Sequence, residues 1–109
     1  MYEQTSQKLE LLPIVFHALS DPIRLNILDI LNNQEMCVGN ICDLLSIKQS
    51  KVSFHLKILK ESGFVETRQQ GRCIYYRLNQ SQFNILREYV DKCQKPSLIN
   101  NYHLQYVSA

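Results

Sequence analysis

Apolar residues recur first at helical and then at strand spacing, and five helices with one hairpin account for the chain. Leu9, Leu12, Phe16 and Leu19 follow three- and four-residue steps, predicting a first helix over Thr5–Leu19 that Pro13 interrupts. Ser20-Asp21-Pro22 reads as a helix start, a capping side chain followed by proline in the first turn. The second helix runs to Leu31 with Ile23, Ile27, Leu28, Ile30 and Leu31 apolar, and Asn32-Asn33 ends it. An extended piece over Met36–Val38, with Met36 and Val38 inward, leads into a brief third helix over Gly39–Leu45, whose Ile41, Leu44 and Leu45 face the core. The fourth helix spans Gln49–Ser62 and stops at Gly63. Its buried stripe is Val52, Leu56 and Leu59, so Ser50, Lys51, Ser53, Phe54 and Lys57 point away.

Phe64–Gln69 and Arg72–Leu78 have β-type composition around a Gln70-Gly71 turn. A last helix starts near Gln80 or Ser81 and runs to Gln94, with Phe83, Leu86, Val90 and Cys93 on one face and Pro96 beyond its end. Residues 1–95 therefore form one domain, and 96–109 a tail without a clear period. The expected fold is mainly α with a β-hairpin wing, a winged helix-turn-helix ordered helix, helix, short strand, helix, helix, strand, strand, helix. A helix about 10–12 Å across fits the major groove. The hairpin tip, Arg68 to Arg72, reaches flanking phosphates or the minor groove.

Charge sharpens this picture. The net charge of the 109 residues is only +2. Lys48 to Arg77 nevertheless holds seven basic and two acidic residues, net +5, and the remainder is −3. A positive block on an acidic body points to a polyanion, here double-stranded DNA. Hydrophobic residues make up 45% of the chain, enough for one thin core that gains burial by pairing with a second copy. No apolar run approaches the roughly 18 residues that span a bilayer, and the polar N-terminus lacks a signal-peptide pattern. A cytoplasmic protein without a membrane partner is expected, its four cysteines present as thiols. Scattered glycines and the lack of a Cys-x-x-Cys pair argue against an enzyme. A pure interaction module predicts a neutral or acidic fourth helix and wing tip, and Lys51, Lys57, Arg68 and Arg72 oppose it.

Three segments together resemble the arsenic-repressor (ArsR/SmtB) family of bacterial regulators: Ala18-Leu19-Ser20-Asp21-Pro22-Ile23-Arg24-Leu25, Val52 to Leu59 followed by Glu61-Ser62-Gly63-Phe64-Val65, and Gly71-Arg72 with Tyr75-Tyr76-Arg77-Leu78. The resemblance covers about Leu12 to Tyr89. It implies a repressor that dimerises through its first and last helices, and two recognition helices entering successive major grooves of an inverted-repeat operator. It also implies base contacts from Gln49, Ser50, Lys51, Ser53 and Phe54. Gln suits adenine and Lys guanine, while Phe54 either meets a thymine methyl or is partly buried. Lys57, Lys60, Arg68 and Arg72 are assigned to phosphates, with Gln70 beside them on the wing. His55 either contacts a phosphate or packs beside Leu56 and Leu59, and Arg77 pairs with an acid inside the fold.

Glu35-Met36-Cys37-Val38-Gly39-Asn40-Ile41-Cys42 resembles the third-helix inducer site of the arsenic-sensing members. Their pattern has cysteines at the positions of Cys37, Gly39 and Cys42, and here the middle one is missing. The resemblance implies no obligatory cofactor, and an inducer such as As(III), Sb(III) or another thiophilic ion held by Cys37 and Cys42. A helix N-terminus there is expected to lower the thiol pKa. A thiol redox switch, or cysteines with a purely structural role, are the alternatives. Cys73 and Cys93 are expected to be inert small hydrophobes.

Overall fold

The structure, a computed structural model, describes residues 2–95, with side chains from Glu10 onward; the expected 96–109 tail lies outside the described residues. The chain forms α1 (Tyr2–Ala18), α2 (Pro22–Ile30), a 3-10 turn (Leu31–Asn33), β1 (Met36–Cys37) and α3 (Val38–Leu45). There follow α4 (Gln49–Glu61), β2 (Val65–Gln70), β3 (Cys73–Leu78), a second 3-10 turn (Gln80–Gln82) and α5 (Phe83–Gln94). This is the expected winged helix-turn-helix. α1 begins three residues earlier than the periodicity predicted and runs through Pro13.

Asp21 is the cap of α2: its carboxylate accepts from the backbone N–H of Ile23 at 2.8 Å and of Arg24 at 3.3 Å. Pro22 takes the first helical position, where no intrahelical N–H is needed. α3 ends on Ser46 in the left-handed region, with φ 54°, which turns the chain sharply into α4. Gly63, with φ 85°, stops α4. A Cβ at Gly63 would lie 2.8 Å from Gln82 Nε2, the same nitrogen that donates to the Ser62 carbonyl at 2.7 Å. Asn79 Nδ2 donates to the Gly63 carbonyl at 2.9 Å, so the wing's return strand closes off the end of α4.

The three strands form an antiparallel sheet in the order β1-β3-β2. Gln70 pairs with Cys73, so the hairpin turn is Gly71-Arg72, one residue later than predicted. A positive φ confined to Gly71 is the reason: glycine takes the first of the two turn positions. Strand alternation then sets Met36, Tyr76 and Leu78 against the core, and Cys37, Cys73, Tyr75, Arg68 and Gln70 on the outer face.

Val15, Ala18, Ile27, Leu31, Ile41, Val52, Leu56, Leu59, Phe64 and Val65 make the core. Leu44 corrects the expected α3 face; it is 60% exposed, while Val38 and Leu45 pack beside Ile41. Phe83 rests on Phe64, ring centroids 4.8 Å apart, and ties α5 to the core. Farther along α5, Val90 and Cys93 are exposed. No single helix among the described residues is long and apolar enough to cross a membrane.

Candidate nucleic-acid interface

α4 is held from beneath by Val52, Leu56 and Leu59, each at most 1% exposed. The helical period then carries Gln49, Ser50, Lys51, Ser53, Phe54, Lys57 and Lys60 to the surface, and all seven are exposed. Phe54 is 59% exposed and turns its ring edge-on to the His55 ring, so it is not the partly buried residue that was one of its two expected settings.

His55 is a correction to the set of expected DNA contacts. It is only 5% exposed, and its Nδ1 lies 3.0 Å from Arg24 Nη1. A guanidinium only donates, so Nδ1 accepts and the ring proton sits on Nε2. Burial pushes the His55 pKa below its usual 6.5; the nearby Asp21 carboxylate opposes this, and the Arg24 and Lys51 charges add to it. Asp21 Oδ1 stands 3.9 Å from the same nitrogen. Burial works against ionisation of Asp21, but the N–H groups of Ile23 and Arg24, with the His55 and Arg24 charges, outweigh it and hold its pKa below the usual 3.8.

Arg24 links the helices. Its Nε donates to the Ala18 carbonyl at 2.7 Å and its Nη2 to the His17 carbonyl at 3.1 Å, at the end of α1, where the His17 carbonyl also accepts from the Ser20 backbone N–H and hydroxyl. One buried guanidinium thus joins the end of α1, the start of α2 and the middle of α4. Sequence reasoning missed it, although Arg24 stands three and four residues before Ile27 and Leu28 on the buried side of α2.

The wing places Arg68, Gln70 and Arg72 at the surface. Arg68 is tethered there: Nε donates to Glu35 Oε2 at 3.0 Å, Nη1 donates to Gln70 Oε1 at 2.7 Å, and the guanidinium lies 4.7 Å from the Tyr75 ring centroid. Arg77 pairs across the strands with Glu66 at 3.8 Å, an acid inside the fold as expected.

Cys37 is the residue before the first turn of α3, with extended backbone, and Cys42 lies five residues on within the helix. Cys42 packs against the core. Among the described residues no group of three or more His, Cys, Asp or Glu is arranged to hold a metal ion. The Cys37 thiol is also not acidified. Burial pushes its pKa up, the Cys73 thiol adds to this, and Tyr75 and Arg68 only partly compensate. Cys73, expected to be inert, is exposed, and its thiol lies near enough to raise the pKa of Cys37. Only the register of β1 on β3 brings them together, and nothing in the local sequence signals it.

The profile of the family described as bacterial regulatory protein, arsR family, matches residues 21–67, from the cap of α2 into β2. Over 82 residues the chain is 37% identical to the transcriptional repressor SdpR of Bacillus subtilis, covering 72% of this chain and 91% of that one. It is 44% identical over 71 residues to the arsenical resistance operon repressor of Escherichia coli, covering 63% of this chain and 61% of that one. Among solved structures it resembles a homodimeric winged helix-turn-helix DNA-binding domain from Mycobacterium bovis, described as a possible ArsR-family transcriptional regulator. The TM-score is 0.67 and the identity 29%, covering 83% of this chain and 87% of that one.

Proposed function

That the chain belongs to the arsR family of bacterial regulatory proteins is the premise from which we propose that it is a sequence-specific, DNA-binding transcriptional repressor. It acts as a homodimer joined through α1 and α5 and holds an inverted-repeat operator. The observation that carries this reading is α4, whose polar and basic side faces solvent while its apolar side locks it to the body. Gln49, Ser50, Lys51, Ser53 and Phe54 read base edges in the major groove. Lys57, Lys60, Arg68, Gln70 and Arg72 serve the backbone and set the affinity and its salt dependence.

The homodimer is supported by the apolar surface left on the two outer helices. Leu11, Ile14 and Phe16 of α1, and Tyr89 and Val90 of α5, are each between 40% and 51% exposed, and Phe16 meets Tyr89 edge-on with centroids 5.7 Å apart. Release from the operator by a thiol-directed inducer such as arsenite or antimonite at Cys37 and Cys42 is the finer part of the proposal. Its support is the place of Cys37, at the start of the helix that leads into α4, and the arsenical-resistance name of the Escherichia coli relative. Inducer and operator then oppose each other through one coupling energy.

The test uses duplexes selected by the protein from a random pool. Lys51→Ala is expected to weaken the selected duplex by about tenfold or more, the worth of a good base contact, with the melting temperature unchanged. Selection of no duplex at low salt, or equal affinity in variant and parent, would count against the reading.

A further inference from the structure

The outer face of the wing sheet carries a second sulfur arrangement. Cys37 on β1 lies directly opposite Tyr75 on β3, and Cys73 is two residues along β3 on the same face. Cys37 is half-buried and Cys73 exposed, so the pair opens to solvent from one side. Tyr75 shares that face, and the neighbouring Cys37 thiol pushes its pKa above the usual 10. Arg68 lies over the Tyr75 ring.

We propose that Cys37 and Cys73 form a two-thiolate site for a soft thiophilic atom, trivalent arsenic in particular, bridging β1 to β3 at the root of the wing. The proposal rests on the thiol-directed inducer reading above and replaces Cys42 by Cys73 as the second sulfur. A diagonal pair on neighbouring antiparallel strands has Cα atoms about 7–8 Å apart. A disulfide tolerates about 4.4–6.8 Å. Direct S–S bonding therefore requires the strands to shift, whereas an intervening atom spans the longer gap between a diagonal pair on one face. Two soft sulfurs without a carboxylate or imidazole select thiophilic rather than hard ions. The site borders Arg68, the wing side chain assigned to phosphate, so its occupant lies where it reaches a DNA contact through Tyr75.

Phenylarsine oxide is the probe, because its arsenic closes on two thiols without redox chemistry. Two S–H bonds and the arsenic–oxygen bond break, two As–S bonds form, the protons leave with the oxygen as one water, and arsenic remains trivalent. The reduced full-length protein is expected to take one phenylarsenic group per protomer, and peptide mapping of the adduct is expected to join Cys37 to Cys73. Losing the second, intramolecular thiol in Cys73→Ser or Cys37→Ser should weaken binding by about a hundredfold, with Cys42→Ser near the parent. Far-ultraviolet circular dichroism of each variant checks folding, and the map of the parent adduct decides the matter without any variant. An adduct joining Cys37 to Cys42, or undiminished affinity in folded Cys73→Ser, overturns the site. Operator release, measured in parallel, separates the two claims. An adduct on Cys37 and Cys73 with the operator still held leaves the site standing and removes the inducer role. Release that persists in Cys73→Ser with arsenic mapped to Cys42 removes this site and keeps the inducer role.

Discussion

Asp21, Arg24 and His55 are the polar side chains on which the placement of α4 turns. Arg24 completes the end of α1 and contacts His55, and Asp21 caps α2 beside them. His55 belongs to this junction and not to the DNA surface. Its depressed pKa gives a pH dependence of definite sign. As pH falls through the unfolded value of 6.5, the unfolded chain takes up a proton that the folded ring refuses. The stability tied to His55 is thus complete above pH 6.5, and it declines below until the folded ring itself titrates. Urea unfolding across this window should show the decline, reduced in His55→Asn, whose Oδ1 keeps an acceptor where Nδ1 stood. Equal pH slopes in variant and parent would assign the effect to another group.

At the scale of elements, the exit from α4 combines two constraints at Gly63. Its φ of 85° suits glycine, and a Cβ there would strike Gln82, the side chain that satisfies the Ser62 carbonyl. Gly63→Ala is expected to cost about 1–3 kcal/mol by denaturant unfolding, since left-handed strain and a displaced Gln82 act together. A loss well under half a kilocalorie would show that the cradle yields freely. The other junction, at Ser46, was not legible in the sequence, because a serine gives no sign of a left-handed turn. The one-residue offset of the hairpin has the same origin. Gly71 announces a turn but not whether it takes the first or second central position, and that choice sets which side chains share the outer face with Cys37.

At the scale of the whole molecule, burial is incomplete on the outer helices. Ile14 and Phe16 on α1 and Val90 on α5 are each about half exposed. In the homodimer proposed above, a twofold partner on that face would remove this surface from water and set the two α4 helices for successive major grooves. Phe16→Glu should yield monomers in sedimentation velocity while keeping helical circular dichroism. Its affinity for a two-half-site duplex should fall by about a hundredfold, because the second half-site is no longer bound intramolecularly. An unchanged dimer would move the interface away from α1.

The order of helices, the buried stripe of α4, its outward polar side and the glycine stop after it were all present in the sequence. Each depends on local geometry: a 3.6-residue period, a capping carboxylate, a residue that tolerates positive φ. The structure alone decided that His55 turns inward to Arg24, that Leu44 faces solvent, and that Cys37 and Cys73 share the outer face of one sheet. Those outcomes depend on contacts between residues distant in the chain, and strand register and helix packing select them where local spacing does not.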